Sequence, residues 1–265
     1  MRFRSSNFQV LTIAFSLIIH PVFIAALRSL STYVAVSLYV LIVAPPGMLI
    51  AILFRWKGLL YILGHWGVRL GLLLSGVKVR VAGAEHILRD RAAVYCCNHQ
   101  SNVDPPIVFD ALHPRMHILY KEEINRIPLL ARAFRLGGFI QIDRRNREAA
   151  MRSIEAGARS IRSGNSFLIY PEGTRSKTGA LLPFKKGGFL MAIKAQAPIV
   201  PVAVQGGQAA MRKGSWFIQP VTVSLRVGPA IETAGLTQAD RDDLIDRVHL
   251  QVERMVAAGP VTEET

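Results

Sequence analysis

Seven short runs rich in β-branched and aromatic residues alternate with helical segments between residues 78 and 227. The runs are Lys78–Val81, Ala92–Cys97, His117–Tyr120, Phe139–Ile142, Ser166–Tyr170, Ile199–Val204 and Thr222–Val227. Strands that alternate with helices are typical of α/β domains whose sheet is at least partly parallel. We therefore predict an α/β fold with a mixed, partly parallel sheet flanked by helices.

Two helices of this domain have clear sequence signals. Residues 147–163 carry apolar side chains at helical spacing, and Gly164 follows as a stop signal. Thr237 and Asp240 have the spacing of a capping box before a helix that carries Leu244 and Val248 on one side. We predict an α/β domain over residues 58–257, followed by a short polar tail over residues 258–265.

The N-terminal part of the chain is strongly apolar. Phe8–Leu27 is a run of 20 uncharged residues, and Thr32–Phe54 is a second run of 23. Both runs are long enough to cross a bilayer, which takes about 20 apolar residues. We therefore predict that residues 1–57 form membrane-associated helices, arranged as a hairpin of two.

Charges that flank the apolar runs predict their orientation. Arg2 and Arg4 precede the runs, only Arg28 separates them, and Arg55 and Lys57 follow. This bias favours a cytoplasmic location for the N-terminus and for the catalytic domain, at the inner (cytoplasmic) membrane. Two alternatives remain open: the first run is a cleaved signal peptide, or the prolines at 45 and 46 leave the second helix bent within one leaflet.

The chain is basic, with 32 Lys and Arg against 18 Asp and Glu and a formal charge of +14. Such an excess favours an anionic partner, namely an anionic membrane surface, a phosphorylated substrate or a nucleic acid. The basic residues are scattered rather than gathered in one run, so no nucleic acid is expected. The two cysteines, Cys96 and Cys97, are neighbours, which argues against a disulfide framework and favours a reducing compartment.

The stretch CCNHQSNVD (residues 96–104) ends one of the predicted strands. A histidine that donates its Nδ1–H to a carboxylate keeps Nε2 free as a base, and His99 and Asp104 have the spacing for this pairing. Asp104 could instead only cap the helix that follows. A metal site is disfavoured because Cys96 and Cys97 point to opposite faces of a strand.

Three further strand ends carry residues suited to an anion. Pro171–Ser176 combines glycine, hydroxyls and an arginine, which suits a phosphate that takes several charge-assisted donors. Arg144 follows another strand and Lys121 a third, as possible anion contacts. From spacing alone, a solvated surface charge remains an equal or better interpretation of these last two residues.

Four blocks of the sequence together resemble the glycerolipid acyltransferases. The blocks are NHQSNVD (98–104), GGFIQIDR (137–144), YPEGTRS (170–176) and IVPVAV (199–204), and they occur in the order and spacing of that family. The chain most resembles the branch of 1-acyl-glycerol-3-phosphate acyltransferases, which make phosphatidic acid from lysophosphatidic acid in phospholipid biosynthesis. The family usually has Phe where Tyr170 stands.

The resemblance implies a role for each matching residue. His99 is implied to be the general base and Asp104 the residue that orients it, supported by Asn98, Pro171 and Ser176. The implied phosphate site of the acceptor comprises Lys121, Arg144, Glu172, Gly173, Thr174 and Arg175. Glu172 would repel a phosphate directly, so we expect it to shape the loop. The Ile199–Val204 block would line an acyl pocket or belong to the sheet core.

The resemblance also implies the partners of the reaction. The acyl donor is expected to be acyl-CoA or acyl-carrier protein, the acceptor lysophosphatidic acid, and the surroundings membrane lipids, with no metal or cofactor. Three alternatives remain: another acceptor such as a lyso-ornithine lipid, another lysophospholipid or glycerol 3-phosphate; a thioester hydrolase; and a non-catalytic basic protein that binds lipid or nucleic acid.

Overall fold

The computed structural model describes residues 5–112, 116–143 and 146–262, with side chains from residue 23 onward. The helices are α1 Ser5–Leu53, α2 Gly58–Ser75, α3 Asp104–Leu112, α4 Pro128–Leu136, α5 Arg147–Arg162, α6 Gly187–Ala195, α7 Gly207–Ala210 and α8 Arg241–Ala257. The strands are β1 Lys78–Ala82, β2 Val94–Cys97, β3 Met116–Lys121, β4 Ile140–Ile142, β5 Ser166–Ile169, β6 Ile199–Gln205 and β7 Thr222–Val227.

The seven strands form one mixed sheet in the order β1-β7-β6-β2-β5-β3-β4. The five strands from β6 to β4 pair in parallel, whereas β7 runs antiparallel to β6 and β1 runs parallel to β7. The carboxyl ends of β2, β3, β4, β5 and β6 therefore meet at one edge of the sheet. The predicted mixed, partly parallel α/β fold is confirmed.

Strand β2 lies in the middle of the sheet and is buried along its whole length, as expected of a parallel strand covered on both faces. Its side chains alternate between the two apolar cores. Tyr95 and Cys97 pack with α3 residues on one face, while Val94 and Cys96 pack with residues of α5, α6 and α8 on the other. The two adjacent cysteines thus lie on opposite faces of the sheet.

The predicted helical hairpin within residues 1–57 is wrong. A single helix, α1, covers both apolar runs, and the second apolar helix is α2, which follows a short turn over residues 54–57. The physical reason lies in residues 28–31, which contain no glycine, proline, asparagine or aspartate to end a helix between the runs. The boundary at residue 57 falls in this turn, and the division into domains there stays a prediction.

Helices α1 and α2 pack side by side in opposite directions. A Cβ on Gly67 would meet the Tyr39 ring at 2.9 Å, and one on Gly71 would meet Val36 at 3.4 Å. The later residue of α2 thus lies beside the earlier residue of α1, which shows that the two helices are antiparallel. Two segments are long and apolar enough to cross a membrane by length and composition, Phe23–Leu53 and Gly58–Ser75. The predicted apolar N-terminal segment is therefore helical.

Two hydrogen bonds connect helix α2 to helices that flank the sheet. The Tyr61 hydroxyl donates a hydrogen bond of 2.6 Å to the carbonyl of Gly137 at the end of α4. Arg69 Nε donates to Asp110 Oδ1 of α3 at 3.1 Å. The apolar helices thus lie against one face of the α/β domain.

The other predicted elements agree with the structure. All seven predicted strands are present, with boundaries that differ by at most two residues. Helix α5 covers the predicted segment, and the capping box between Thr237 and Asp240 precedes α8, whose Leu244 and Val248 are fully buried. The IVPVAV block forms β6 and lies in the sheet core.

Candidate active site

The sequence-predicted site residues follow strands that end at one edge of the sheet. His99 follows β2, between the ends of β6 and β5, and the segment 171–176 follows β5. Lys121 ends β3 and is paired in register with Ile142 of β4. The parallel half of the sheet therefore brings the four predicted segments to one side of the molecule.

His99 and Asp104 form a hydrogen-bonded pair. The His99 Nδ1 atom lies 2.9 Å from Asp104 Oδ2, and because a carboxylate only accepts, Nδ1 is the donor. The Asp104 side chain is fully buried, whereas that of His99 is 17% exposed. Tyr170 stacks on the imidazole, with ring centroids 4.2 Å apart. The ring is thus held in one orientation, with Nε2 as the nitrogen left to act as a base.

The Asp104 carboxylate also fixes the turn that carries His99. Its Oδ2 accepts hydrogen bonds from the backbone amides of Gln100 and Ser101, both at 2.6 Å. Asp104 is at the same time the first residue of α3. The two interpretations of Asp104 are therefore compatible, since one residue orients the histidine and begins the helix.

Gly207 allows the backbone to approach this carboxylate closely. A Cβ at position 207 would lie 2.2 Å from Asp104 Oδ1. Gly207 is the first residue of α7, directly after β6, so the neighbouring strand end closes the pocket around Asp104. Sequence reasoning missed this residue, because a glycine required for close approach has no signature of its own in one sequence.

The segment after β5 holds the His99 backbone on both sides. Glu172 Oε1 accepts from the His99 amide at 2.6 Å, and the Ser176 amide donates to the His99 carbonyl at 2.8 Å. Glu172 Oε2 accepts from the Leu182 amide at 3.0 Å. Glu172 is buried and both of its oxygens are bound by backbone amides, so it shapes the loop.

Burial raises the pKa of Glu172 from 4.5 to about 7, although the hydrogen bonds from the His99 and Leu182 amides act in the opposite direction. Burial also raises the pKa of Tyr170 well above its usual value. The phenol beside His99 is therefore neutral, and the carboxyl behind it titrates near neutral pH.

The three residues implied to support the motifs, Asn98, Pro171 and Ser176, form hydrogen bonds to neighbouring segments of the chain. Asn98 bridges to β6, donating to the Val204 carbonyl at 3.0 Å and accepting from the Val204 amide at 2.7 Å. The Pro171 carbonyl accepts from the Lys185 amide at 2.8 Å, and Ser176 Oγ accepts from the Gly179 amide at 3.0 Å. These bonds fix the two loops that flank His99.

Arg175 is the phosphate-binding candidate whose environment is most distinctive. Its Nη1 is buried and, among the described residues, has no hydrogen-bond partner. Gly173 has a positive φ of 70°, which lets the chain turn tightly just before it. Buried donors are normally satisfied, so the Arg175 guanidinium has hydrogen-bonding capacity left for an anion.

Lys213 is a cation of this loop that sequence reasoning missed. Its Nζ donates to Thr174 Oγ1 at 3.0 Å and to the Arg175 carbonyl at 2.9 Å. Lys213 comes from the segment after α7, far from residue 175 in sequence, and a single lysine outside the four blocks gave no signal. Lys121 is exposed at the end of β3, and Arg144 lies outside the described residues.

A large apolar cavity of about 820 Å³ runs between the N-terminal helices and the α/β domain. Its walls include Tyr39 of α1, Gly67 of α2 and Phe134 of α4. At the site it reaches Val103 on the His99–Asp104 turn and the side chain of Arg175. An apolar chain with an anionic end would find both of its parts accommodated here.

The remaining histidine and cysteine candidates have structural environments. His117 is buried among aromatic rings, while His113 lies outside the described residues. Burial raises the pKa of both Cys96 and Cys97 well above the usual value, so both are thiols. Within residues 5–112, 116–143 and 146–262, no three His, Cys, Asp or Glu residues form a group that could hold a metal.

Comparison with known proteins identifies the family. A family model described as Acyltransferase matches residues 78–205. Over 235 residues the chain is 32% identical to the 1-acyl-sn-glycerol-3-phosphate acyltransferase of Limnanthes douglasii, which covers 86% of this chain and 82% of that protein. The chain belongs to the 1-acyl-sn-glycerol-3-phosphate acyltransferase family. The resemblance seen in the four blocks is confirmed, and with it the class of enzyme.

A human relative and a solved structure agree with this membership. The acyltransferase is 35% identical over 185 residues to human 1-acyl-sn-glycerol-3-phosphate acyltransferase beta, covering 69% of this chain and 66% of the human protein. Its fold is similar to the crystal structure of the 1-acyl-sn-glycerophosphate acyltransferase PlsC from Thermotoga maritima, with a TM-score of 0.77 over 88% of this chain and 95% of that one at 24% identity.

Proposed function

We propose that this acyltransferase moves an acyl group from acyl-CoA or acyl-carrier protein to the free hydroxyl of 1-acyl-glycerol 3-phosphate, giving phosphatidic acid in phospholipid biosynthesis. The observation that carries the proposal is the hydrogen-bonded His99–Asp104 pair on a turn whose Val103 lines the apolar cavity. Arg175 lines the same cavity, and its buried Nη1 has no hydrogen-bond partner among the described residues. The relatives from Limnanthes douglasii and human are named for the same acceptor.

In this proposal His99 is the general base. Its Nε2 takes the proton of the acceptor hydroxyl as the hydroxyl oxygen attacks the thioester carbonyl, and Asp104 stabilises the imidazolium that forms. The tetrahedral intermediate then expels the thiolate, which takes the proton from His99. No covalent acyl-enzyme is formed. General-base help of this kind contributes about 10²–10⁴-fold in rate.

The acceptor phosphate is proposed to bind at the adjacent strand ends. Arg175 supplies a buried donor, Lys121 and Arg144 follow β3 and β4, and Gly173 and Thr174 form the turn itself. A hydrogen bond to a charged group contributes about 1.5–3 kcal/mol, so two or three of them anchor the glycerol hydroxyl near His99. Lys213 positions this turn through its bonds to Thr174 and Arg175.

The apolar helices support a membrane location for the reaction. Helices α1 and α2 are long and apolar enough to embed in a bilayer, and the acceptor is itself a membrane lipid. The α/β domain is proposed to lie on the cytoplasmic side, because the soluble and anionic acyl donor is found there. A net charge of +14 serves both the anionic leaflet and the donor.

A panel of acceptors tests the proposal. Purified protein in phospholipid vesicles receives one acyl donor, as CoA or carrier-protein thioester, with lysophosphatidate, monoacylglycerol, a lyso-ornithine lipid or glycerol 3-phosphate. We expect lysophosphatidate to be preferred over monoacylglycerol, which carries the same chain and no phosphate. Equal rates with these two acceptors would refute the assignment, and release of free acid without acceptor would indicate a hydrolase.

A pair of matched variants locates the source of this preference. Arg175→Met is expected to reduce the preference for lysophosphatidate over monoacylglycerol, with a smaller effect on the monoacylglycerol rate. Arg152→Met is the control, because Arg152 is an exposed arginine on α5 whose guanidinium pairs with the exposed Glu148. An unchanged preference in Arg175→Met would remove Arg175 from the phosphate site.

A further inference from the structure

Two large aromatic side chains project from the loop that follows α7. Trp216 is 78% exposed and Phe217 is 48% exposed. Arg212 and Lys213 precede them in the same loop. Adjacent exposed aromatic rings beside cations are unfavourable in bulk water, and they are typical of surfaces that meet the polar–apolar boundary of a membrane.

Hydrogen bonds fix this loop at one level along α1. The Tyr33 hydroxyl donates to the Trp216 carbonyl at 2.8 Å. The Ile218 amide donates to Ser29 Oγ at 2.7 Å, and both Ser29 and Ile218 are buried. The loop backbone that carries Trp216 and Phe217 is therefore held beside residues 29–33 of α1.

This level coincides with a break in the apolar surface of α1. Arg28 is the sole Lys, Arg, Asp or Glu residue in the sequence from Ser5 to Leu53. Around it, Leu27 is 58% exposed and Leu30 is 61% exposed. A charged side chain on a membrane-embedded helix lies at the headgroups, because placing it among the acyl chains is costly. The loop thus lies where α1 itself meets the headgroups.

We propose that Trp216 and Phe217 insert into the headgroup region of an anionic phospholipid membrane and form a contact of the catalytic domain with the bilayer, additional to α1 and α2. The inference rests on the proposed membrane-bound function. Tryptophan is enriched at this depth, and Arg212, which is exposed in the same loop, supplies a positive charge for anionic headgroups. Because Lys213 also bonds to the Arg175 carbonyl, the contact places the phosphate-binding turn at the depth of the acceptor's phosphate.

Depth-dependent fluorescence quenching tests the contact. The chain has three tryptophans, so the variant Trp56→Phe with Trp66→Phe leaves Trp216 as the sole emitter. This variant is reconstituted into vesicles of phosphatidylcholine and phosphatidylglycerol, with or without bromine near the top of the acyl chains. We expect brominated lipid to reduce the emission by about half and the membrane to protect Trp216 from iodide.

A control tryptophan is placed on the opposite side of the sheet. Leu250 of α8 is 45% exposed, and Leu250→Trp in a background with all three native tryptophans replaced by Phe provides it. This residue is expected to be quenched by iodide and not by brominated lipid. Equal quenching of both positions by brominated lipid would overturn the inference, because the effect would then not report on the loop.

Flotation of the same samples separates this inference from the proposed function. If the protein floats with the vesicles and makes phosphatidic acid while brominated lipid leaves Trp216 unaffected, the loop contact is wrong and the function stands. If the protein does not float, the proposed membrane attachment fails and the loop contact fails with it.

Discussion

His99 follows β2 and His117 lies on β3, two parallel strands separated by β5, yet the surroundings of the two histidines differ. His99 donates to a buried carboxylate and keeps part of its ring exposed. His117 is 5% exposed and stacks on Tyr61 at a centroid distance of 5.7 Å. The edges of Phe139 and Phe167 enclose the same ring. His99 therefore has a carboxylate partner and an exposed part of its ring, and His117 has neither.

The difference separates the proposed base, His99, from a histidine that packs in the core. Burial, with the charge of Lys57 as a smaller contribution, lowers the pKa of His117 from 6.5 to about 4, so its ring is neutral at physiological pH. Its nearest polar partner is Ser160 Oγ at 3.4 Å. A strand position in the core yields a packing residue, whereas the residue just beyond a strand end meets a turn that supplies a carboxylate.

Removal of the His99 imidazole is expected to have the largest effect. His99→Ala should reduce the rate of acyl transfer by about 10²–10⁴-fold, since no base remains for the acceptor hydroxyl. The melting temperature should change little, because the backbone bonds to Glu172 and Ser176 remain. Rates are measured under saturating acceptor and donor. Retention of more than a tenth of the activity would exclude His99 as the base.

Asp104→Asn should follow with a loss of about 10²-fold or more, since the neutral amide does not stabilise the imidazolium. The comparison is with Asp110→Asn, which removes the charge that Asp110 presents to Arg69 and His65 and should keep the activity. The ratio of kcat to KM and the thermal stability are measured for both. Similar small losses in the two variants would reduce Asp104 to a helix-starting residue.

Gly207→Ala should reduce activity by about tenfold, because a displacement of the orienting residue by a fraction of an ångström is already costly. The added Cβ would lie 2.2 Å from Asp104 Oδ1 and must push the carboxylate toward His99 or away from it. Gly64→Ala is the control, since a Cβ there meets nothing within 4 Å. Full activity in Gly207→Ala would mean that the turn adapts without moving His99.

The strands and the hydrogen bond between His99 and Asp104 were predictable because each depends on local sequence. The β-branched residues of Thr222–Val227 are enough to predict a strand there, and His99 and Asp104 are five positions apart in one turn. Gly207 and Lys213 were not predictable, because their roles depend on contacts with residues far away in the chain. The single helix α1 was missed for a different reason: two apolar runs suggested two helices although no turn residue separates them.

Glu172→Gln should change the pH dependence of stability more than activity. Because burial raises the pKa of Glu172 to about 7, the folded protein holds a proton between pH 4.5 and about 7 that the unfolded chain has released. The free energy of unfolding should therefore fall with rising pH by up to about 3 kcal/mol more in the wild type than in Glu172→Gln. Melting temperatures across this range measure the difference. Parallel curves of melting temperature against pH for the two proteins would contradict the raised pKa of Glu172. Glu148→Gln on the exposed face of α5 serves as the control.

His117→Phe should have the smallest effect and so sharpens the contrast with His99. A phenyl ring retains the contacts with Tyr61, Phe139 and Phe167, and the bond lost to Ser160 is long. Ser160 Oγ still accepts from Asn165 Nδ2 at 3.1 Å, so no buried hydroxyl is left without a partner. We expect the rate of acyl transfer to stay within about twofold of the wild type, since the imidazole of His99, the proposed base, is unchanged. A loss as large as that of His99→Ala, with an unchanged melting temperature, would show that His117 takes part in the reaction and that a buried position does not disqualify a histidine.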